Sequence, residues 1–144
     1  MKHITNTLLV IFLFSITISV SQEVDPATSQ QVATRFLFET LNQTSAIIEP
    51  VKQEIVVEGQ IPVYSIHYFT EGFVVVSANR KIRPVLAYSH SGDHLNSKRP
   101  PAFTEWMQQY ARQIKFAVQT DAGPLPGAKT LWDHYCAADF QVKD

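Results

Sequence analysis

The chain has one cysteine, Cys136, among its 144 residues. No intramolecular disulfide can form, so the fold must be held together by its hydrophobic core and backbone hydrogen bonds. With 45% hydrophobic residues, a chain of this length can do so unaided, because disulfides or metals become necessary only below roughly 40 residues. We therefore expect a single globular domain.

A strong excess of charge of either sign is also missing. The 12 Lys and Arg residues nearly balance the 13 Asp and Glu residues. A protein that binds the phosphate backbone of nucleic acid needs a clustered basic surface. The densest basic run, residues 80–83, is more simply a solvent-exposed turn between two strands. We therefore expect no nucleic acid partner.

No apolar run is long enough to span a bilayer comfortably. The longest, Leu8 to Val20, has 13 residues, whereas a membrane-spanning helix needs roughly 20. With Lys2 before it and small residues at Ser19 and Ser21, it is typical of a cleaved secretory signal peptide. The alternative is an uncleaved anchor helix. We expect residues 1–21 to be removed, which leaves a net charge of −2 and a secreted or periplasmic protein without membrane contact.

Groups that carry catalysis are sparse. The sequence has no glycine-rich phosphate loop, serine elbow or suitably spaced carboxylate pair. His134 and Cys136 combine a base with a nucleophile, but a spacing of two residues does not aim the imidazole at the sulfur. His90, Asp93 and His94 are three possible ligands within five loop residues, too few for a zinc cage. We expect no enzymatic activity, no metal and no cofactor.

Hydrophobic periodicity predicts an α+β fold, with an antiparallel sheet of about four strands flanked by an N-terminal and a C-terminal amphipathic helix. Asp25 is suited to cap the first helix and Pro26 to open it. The predicted elements are, in chain order, a helix to about Leu41, strands at 53–58, 63–69 and 73–78, a strand ending at Ser89, and a helix from Pro101 to about Gln119.

Both predicted helices carry an apolar stripe for packing. The stripes are Val32, Phe36, Leu37 and Leu41 in the first helix, and Phe103, Trp106, Met107, Tyr110, Ile114 and Val118 in the second. His67 falls within a strand and is expected to be a half-buried structural residue. The Pro- and Gly-rich stretch 121–127 breaks the second helix, so residues 121–144 are expected to form a linker and a tail.

Nearly the whole mature chain resembles a known family, and the likeness is carried mainly by one segment. This segment runs from Gly72 through the apolar strand to Ser77 and resumes at residues 84–89. It is similar to the inhibitory prodomains of streptopain-type secreted bacterial cysteine proteases and to the Spi-like stand-alone inhibitors built on that domain. The motif residues are Gly72, Phe73, Val75, Ser77, Leu86, Tyr88 and Ser89. The sequence departs from the family pattern at Asn79, where Asp is common, and at Ala87, where Gly is common.

The resemblance implies that residues 22–120 form an inhibitor domain whose partner is a streptopain-like protease. In such zymogens the prodomain covers the active-site cleft, and a loop before the last helix displaces the catalytic histidine. That loop corresponds to residues 91–102. The protease-contacting residues implied by the resemblance are Asp93, His94, Leu95, Asn96, Pro101 and Ala102.

No protease domain begins within these 144 residues, so we expect a secreted thiol protease inhibitor that acts in trans and is monomeric when free. One alternative is a truncated or split zymogen prodomain that assists the folding of its own protease. Another is a surface or periplasmic binding module without a protease partner, suggested by the aromatic residues Tyr64, Tyr68, Phe69 and Trp106.

Overall fold

The computed structural model describes residues 22–41, 49–92, 98–120 and 122–138. The predicted signal peptide lies outside these ranges. Within them, no helix has the length and apolar character that a bilayer crossing requires. The elements are α1 (Pro26–Thr40), β1 (Lys52–Glu58), β2 (Ile61–Tyr68), β3 (Phe73–Ser77), β4 (Val85–Ser89), α2 (Pro101–Gln119) and α3 (Ala128–Tyr135).

The four strands form an antiparallel meander in the order β1-β2-β3-β4. A two-residue turn joins β1 to β2, and Gly59 adopts a φ of 70° there, a conformation that glycine tolerates best. The predicted α+β class and the four-stranded antiparallel sheet are confirmed, and the predicted strands lie within two residues of the observed ones.

Helices cover the sheet on both faces. Every residue of the inner strand β3 is buried, with Phe73 and Val75 facing α2 and Val74 and Val76 facing α1. This two-sided burial explains why the strand is a continuous apolar run rather than an alternating pattern. The fold therefore has two hydrophobic cores, one on each face of the sheet.

The start of α1 follows the predicted chemistry. The Asp25 carboxylate accepts a hydrogen bond from the backbone N–H of Thr28 at 2.9 Å, and Pro26 occupies the first turn. The cap satisfies one backbone donor that the helix cannot satisfy itself. Val32 and Leu37 then point into the core.

The buried face of α2 differs from the predicted stripe. Met107 and Ile114 are buried as expected, but Trp106 is 54% exposed and Val118 is 44% exposed. Ala111 and Ala117 take the contact positions instead. Their small side chains let the helix lie close to the sheet. The predicted stripe counted only the large apolar residues, so it was displaced by one position from the observed contact face.

The segment expected to be a tail contains α3, which packs with α1. Trp132 is 2% exposed, and its indole N–H donates to the backbone carbonyl of Ile82 at 2.8 Å. The Arg80 guanidinium lies 5.2 Å from the Trp132 ring centroid, within cation–π distance. An eight-residue helix with one large buried side chain has too short an apolar pattern to be recognised from periodicity.

The basic run at residues 80–83 is not the solvent-exposed turn that was predicted. The Lys81 ammonium donates to the carbonyls of Ala117 and Thr120, each at 3.2 Å, and Ile82 is 5% exposed. A cation at a helix C-terminus satisfies free carbonyls and interacts favourably with the helix dipole. The run therefore connects the β3–β4 turn to the end of α2.

His67 is fully buried rather than half-buried. Its Nε2 atom lies 2.8 Å from Ser29 Oγ on α1 and 3.0 Å from Ser65 Oγ on β2. Its Nδ1 atom has no hydrogen-bond partner among the described residues. Burial lowers the pKa of His67 to about 4, because the low-dielectric interior disfavours the imidazolium.

We predict that stability falls as the pH is lowered from 6.5 to 4. In this window the unfolded chain binds a proton at His67, while the folded chain remains neutral there, so the unfolded state is favoured by up to about 3 kcal/mol. Urea denaturation of residues 22–144 at several pH values measures the slope. The slope should be smaller in His67→Gln, because this variant lacks the buried imidazole; equal slopes in both proteins would contradict the prediction.

Trp132→Phe should lower the free energy of unfolding by about 2 kcal/mol, since it leaves the Ile82 carbonyl buried without its donor. Trp106→Phe is the matched control because Trp106 is exposed, and its effect should stay within about 0.5 kcal/mol. Urea denaturation followed by circular dichroism compares the two. An effect of Trp132→Phe as small as that of Trp106→Phe would contradict the prediction.

Candidate functional site

The loop implied by the resemblance joins β4 to α2. Its residues Asp93, His94, Leu95 and Asn96 lie outside the described residues. Pro101 and Ala102 lie in the first turn of α2, and both are exposed. The described residues therefore define the two ends of the loop and the surface beside it.

The entrance to the loop is held by Gly72. Its backbone N–H donates to the Gly92 carbonyl at 3.2 Å. A Cβ atom at Gly72 would lie 2.0 Å from the Ser89 carbonyl oxygen, and φ is 85°, so both the space and the backbone conformation require glycine. The Ser89 hydroxyl donates to the Ser91 carbonyl at 3.0 Å. Two motif residues, Gly72 and Ser89, thus position the start of the loop.

The exit from the loop is held by Arg99. Its Nη2 atom donates to Glu54 Oε2 at 2.9 Å and contacts the Tyr68 hydroxyl at 2.6 Å. The hydroxyl in turn donates to Glu54 at 3.1 Å. Burial raises the pKa of Tyr68 although Arg99 opposes the shift, so the hydroxyl stays neutral and can donate. Side chains from β1 and β2 therefore fix the residue that precedes Pro100.

A largely apolar cavity of about 350 Å³ lies between the two ends of the loop. The Phe73 and Phe103 rings meet edge to face in its wall, with centroids 5.5 Å apart. Ser89 and Lys98, from opposite sides of the loop, also line it. A concave apolar surface with a few polar groups can receive an apolar side chain. The remaining lining residues are Ile66, Tyr68, Arg99 and Pro100.

An aromatic surface continues from the loop along α2. Trp106 is 54% exposed, and the centroid of its ring lies 6.0 Å from that of Tyr110. Polar side chains form a shallow depression around it, including Glu105 and Arg112. An exposed tryptophan one turn beyond Ala102 is the kind of residue that dominates binding energy in protein interfaces.

The other motif residues form the scaffold behind this site. Phe73, Val75 and Leu86 are buried in the core that α2 covers. The Ser77 hydroxyl donates to the Asn79 carbonyl at 3.1 Å. Tyr88 is 48% exposed and faces the other side of the sheet, where it meets α1. Of these residues, Phe73 also lines the cavity between the two ends of the loop.

The departure from the family pattern at Asn79 preserves the turn. The Asn79 side-chain oxygen accepts from the Lys81 N–H at 2.9 Å, and an aspartate oxygen can accept the same bond. Ala87, the second departure, lies partly buried in β4 against the α2-side core. Both positions are compatible with the same strand-turn-strand geometry.

The groups considered for catalysis make contacts within the fold. His134 Nε2 lies 2.9 Å from Glu39 Oε2. Although partial burial opposes the shift, hydrogen bonds from His134 and Arg35 lower the pKa of Glu39. Cys136 packs beside the core that α1 covers. Among the described residues, no group of three His, Cys, Asp or Glu side chains could hold a metal ion; of the loop ligands considered, only His90 is described.

Sequence reasoning did not identify Arg99 or the cavity. Glu54 and Tyr68 are separated by a hairpin turn, and Arg99 follows 31 residues after Tyr68, so no spacing in the sequence connects them. The one available signal was a basic residue directly before Pro100-Pro101, where the backbone enters a helix.

One of the comparisons with known proteins identifies a family. The family model described as Spi protease inhibitor matches residues 21–114, which include α1, the whole sheet and most of α2. No curated protein and no solved structure gives a match. The family model covers well over half of the chain, and its limits enclose the motif, both ends of the loop, the cavity and Trp106. The chain therefore belongs to the Spi protease inhibitor family.

Proposed function

We propose that this protein is an exported inhibitor of streptopain-like, papain-fold cysteine proteases, and that it acts in trans by covering the active-site cleft. The observation that carries the proposal is the anchoring of the 91–102 segment at both ends beside an exposed aromatic surface. The signal peptide predicted at residues 1–21 supports export.

Such an inhibitor needs no reactive group of its own. A cysteine protease depends on a thiolate and a correctly placed imidazole, so a loop that displaces the imidazole stops the reaction. Binding is tighter when such a loop is held in place beforehand, because less conformational entropy is lost on association. The Gly72–Gly92 bond and the Arg99–Glu54 contact supply this restraint at its two ends.

The proposed contact surface comprises the loop, Pro101, Ala102 and the exposed ring of Trp106. A stable complex of this kind buries about 1,600 Å² in total, more than one loop provides. The first turns of α2 add area next to the loop. The apolar cavity can accept a protease side chain in the same interface.

The position of α3 favours an inhibitor acting in trans over a zymogen segment. Residues 128–135 lie beyond the family match, at the place where a precursor chain would lead toward its protease. Here α3 packs against α1, and Trp132 is buried in the core between α1 and the sheet. The domain thus uses these residues for its own stability.

Titration of the mature chain against an active streptopain-like protease, with a fluorogenic peptide substrate, tests the proposal. We expect stoichiometric inhibition. A variant with residues 93–97 replaced by five Gly and Ser residues keeps Arg99 and the loop length, and should lose most inhibition while remaining folded. Full protease activity in inhibitor excess contradicts the proposal. If the chain does not inhibit the active protease and only assists the refolding of a denatured one, the zymogen prodomain becomes the better interpretation.

Trp106→Ala should weaken inhibition by about 30-fold, the size expected for a tryptophan hot spot of about 2 kcal/mol. Phe116→Ala is the matched control, because Phe116 is also exposed on α2 but lies about 15 Å farther along the helix. Its inhibition constant should stay unchanged. Equal losses in the two variants would remove Trp106 from the interface.

A further inference from the structure

The edge strand β1 presents an unusual surface. It pairs with β2 on one side, and no described strand pairs with its other side. Ile55 and Val57 are 51% and 55% exposed, and Val51 before the strand is 58% exposed. An exposed, regular edge strand with apolar side chains is a template for pairing with another strand.

The strand register shows which backbone groups face outward. The Ala78 N–H donates to the Val63 carbonyl, so residues 63, 65 and 67 of β2 bond to β3, and residues 64, 66 and 68 bond to β1. Ile66 is paired with Glu54, and even-numbered residues of β1 therefore bond inward. The N–H and C=O groups of residues 53, 55 and 57 point to the open edge.

The edge strand itself stays regular from Lys52 to Glu58. A register shift separates the Val56–Tyr64 pair from the Val57–Pro62 pair, so the extra residue, Val63, belongs to β2. A bulge in β1 itself would have twisted the edge and discouraged pairing. The outward-facing bonding groups of β1 thus keep the two-residue spacing that a second strand requires.

We propose that β1 pairs with β1 of a second copy of this chain, antiparallel and across a two-fold axis at Ile55. In this register Ile55 lies opposite Ile55, and residues 53 and 57 lie opposite each other, so all outward-facing groups are matched. Lys52 lies opposite Glu58 at both ends of the strand pair. The contact is therefore complementary in hydrogen bonding, apolar surface and charge.

Neighbouring registers of the two β1 strands are less favourable than the one centred on Ile55. A shift that centres the axis on residue 54 places Glu54 opposite Glu54, and one centred on residue 56 places Glu54 opposite Glu58 twice. Like charges directly opposite destabilise a strand pair. Registers centred on residues 53 or 57 overlap only three residues of β1, compared with all seven at Ile55.

The proposed dimer is weak. A single strand edge buries much less than the about 1,600 Å² of a standard stable interface. We expect a dissociation constant on the order of 100 µM, so the dilute protein is the monomer expected from the sequence. This inference uses only β1 and does not rest on the proposed inhibition of a protease.

Sedimentation equilibrium of residues 22–144, over about 10 to 500 µM, tests the pairing. The wild-type protein should shift from monomer to dimer, and Ile55→Lys should remain monomeric because it places two cations at the axis. Lys52→Glu and Glu58→Lys alone should each weaken the dimer by about tenfold, since each makes the end pairs repulsive. The variant that carries both Lys52→Glu and Glu58→Lys should recover wild-type affinity.

Circular dichroism checks that each variant is folded, which is expected because Ile55 is half exposed. A wild-type protein that is monomeric at every concentration overturns the proposal, and so does a dimer that Ile55→Lys leaves intact. Failure of the double charge swap to recover affinity overturns the register. If the protein is monomeric and Ile55→Lys weakens protease inhibition, the edge pairs with the protease instead.

Discussion

Burial of β3 on both faces is the constraint on which the rest of the structure depends. Its alternate side chains enter two separate cores, so the domain requires cover from α1 and α3 on one face and from α2 on the other. This requirement explains why the short helix α3 contributes a buried tryptophan. It also explains why the basic β3–β4 turn contacts both helices: Lys81 binds carbonyls at the end of α2, and Arg80 lies over the Trp132 ring of α3.

The same constraint places the candidate site. The turn before β3 and the end of β4 lie side by side, and Gly72 permits a backbone approach there that no other residue allows. α2 starts close enough to the sheet for Arg99 to reach Glu54 and Tyr68. A loop between these two anchors is presented by a rigid scaffold, which is how binding loops combine variable sequence with a defined position.

Two of the exposed apolar surfaces have a proposed partner. The outer face of α2 carries Trp106 next to the loop, and the edge strand β1 carries Ile55 and Val57. The first belongs to the proposed protease interface, whereas the second has the hydrogen-bonding and charge pattern of a self-complementary edge. The two surfaces share no exposed apolar residue, although Glu54 of β1 also contacts Arg99 at the exit of the loop.

The sequence by itself determined the strands, the two long helices, the capping Asp25 and the family, because these depend on local periodicity, turn chemistry and contiguous motifs. Only the tertiary structure decided the rotation of α2, the burial of His67, the packing of Trp132 and the Arg99–Glu54–Tyr68 cluster. Those features join residues far apart in the chain, and their energies depend on close packing and shared desolvation. No pattern within one segment records which distant side chain it will meet.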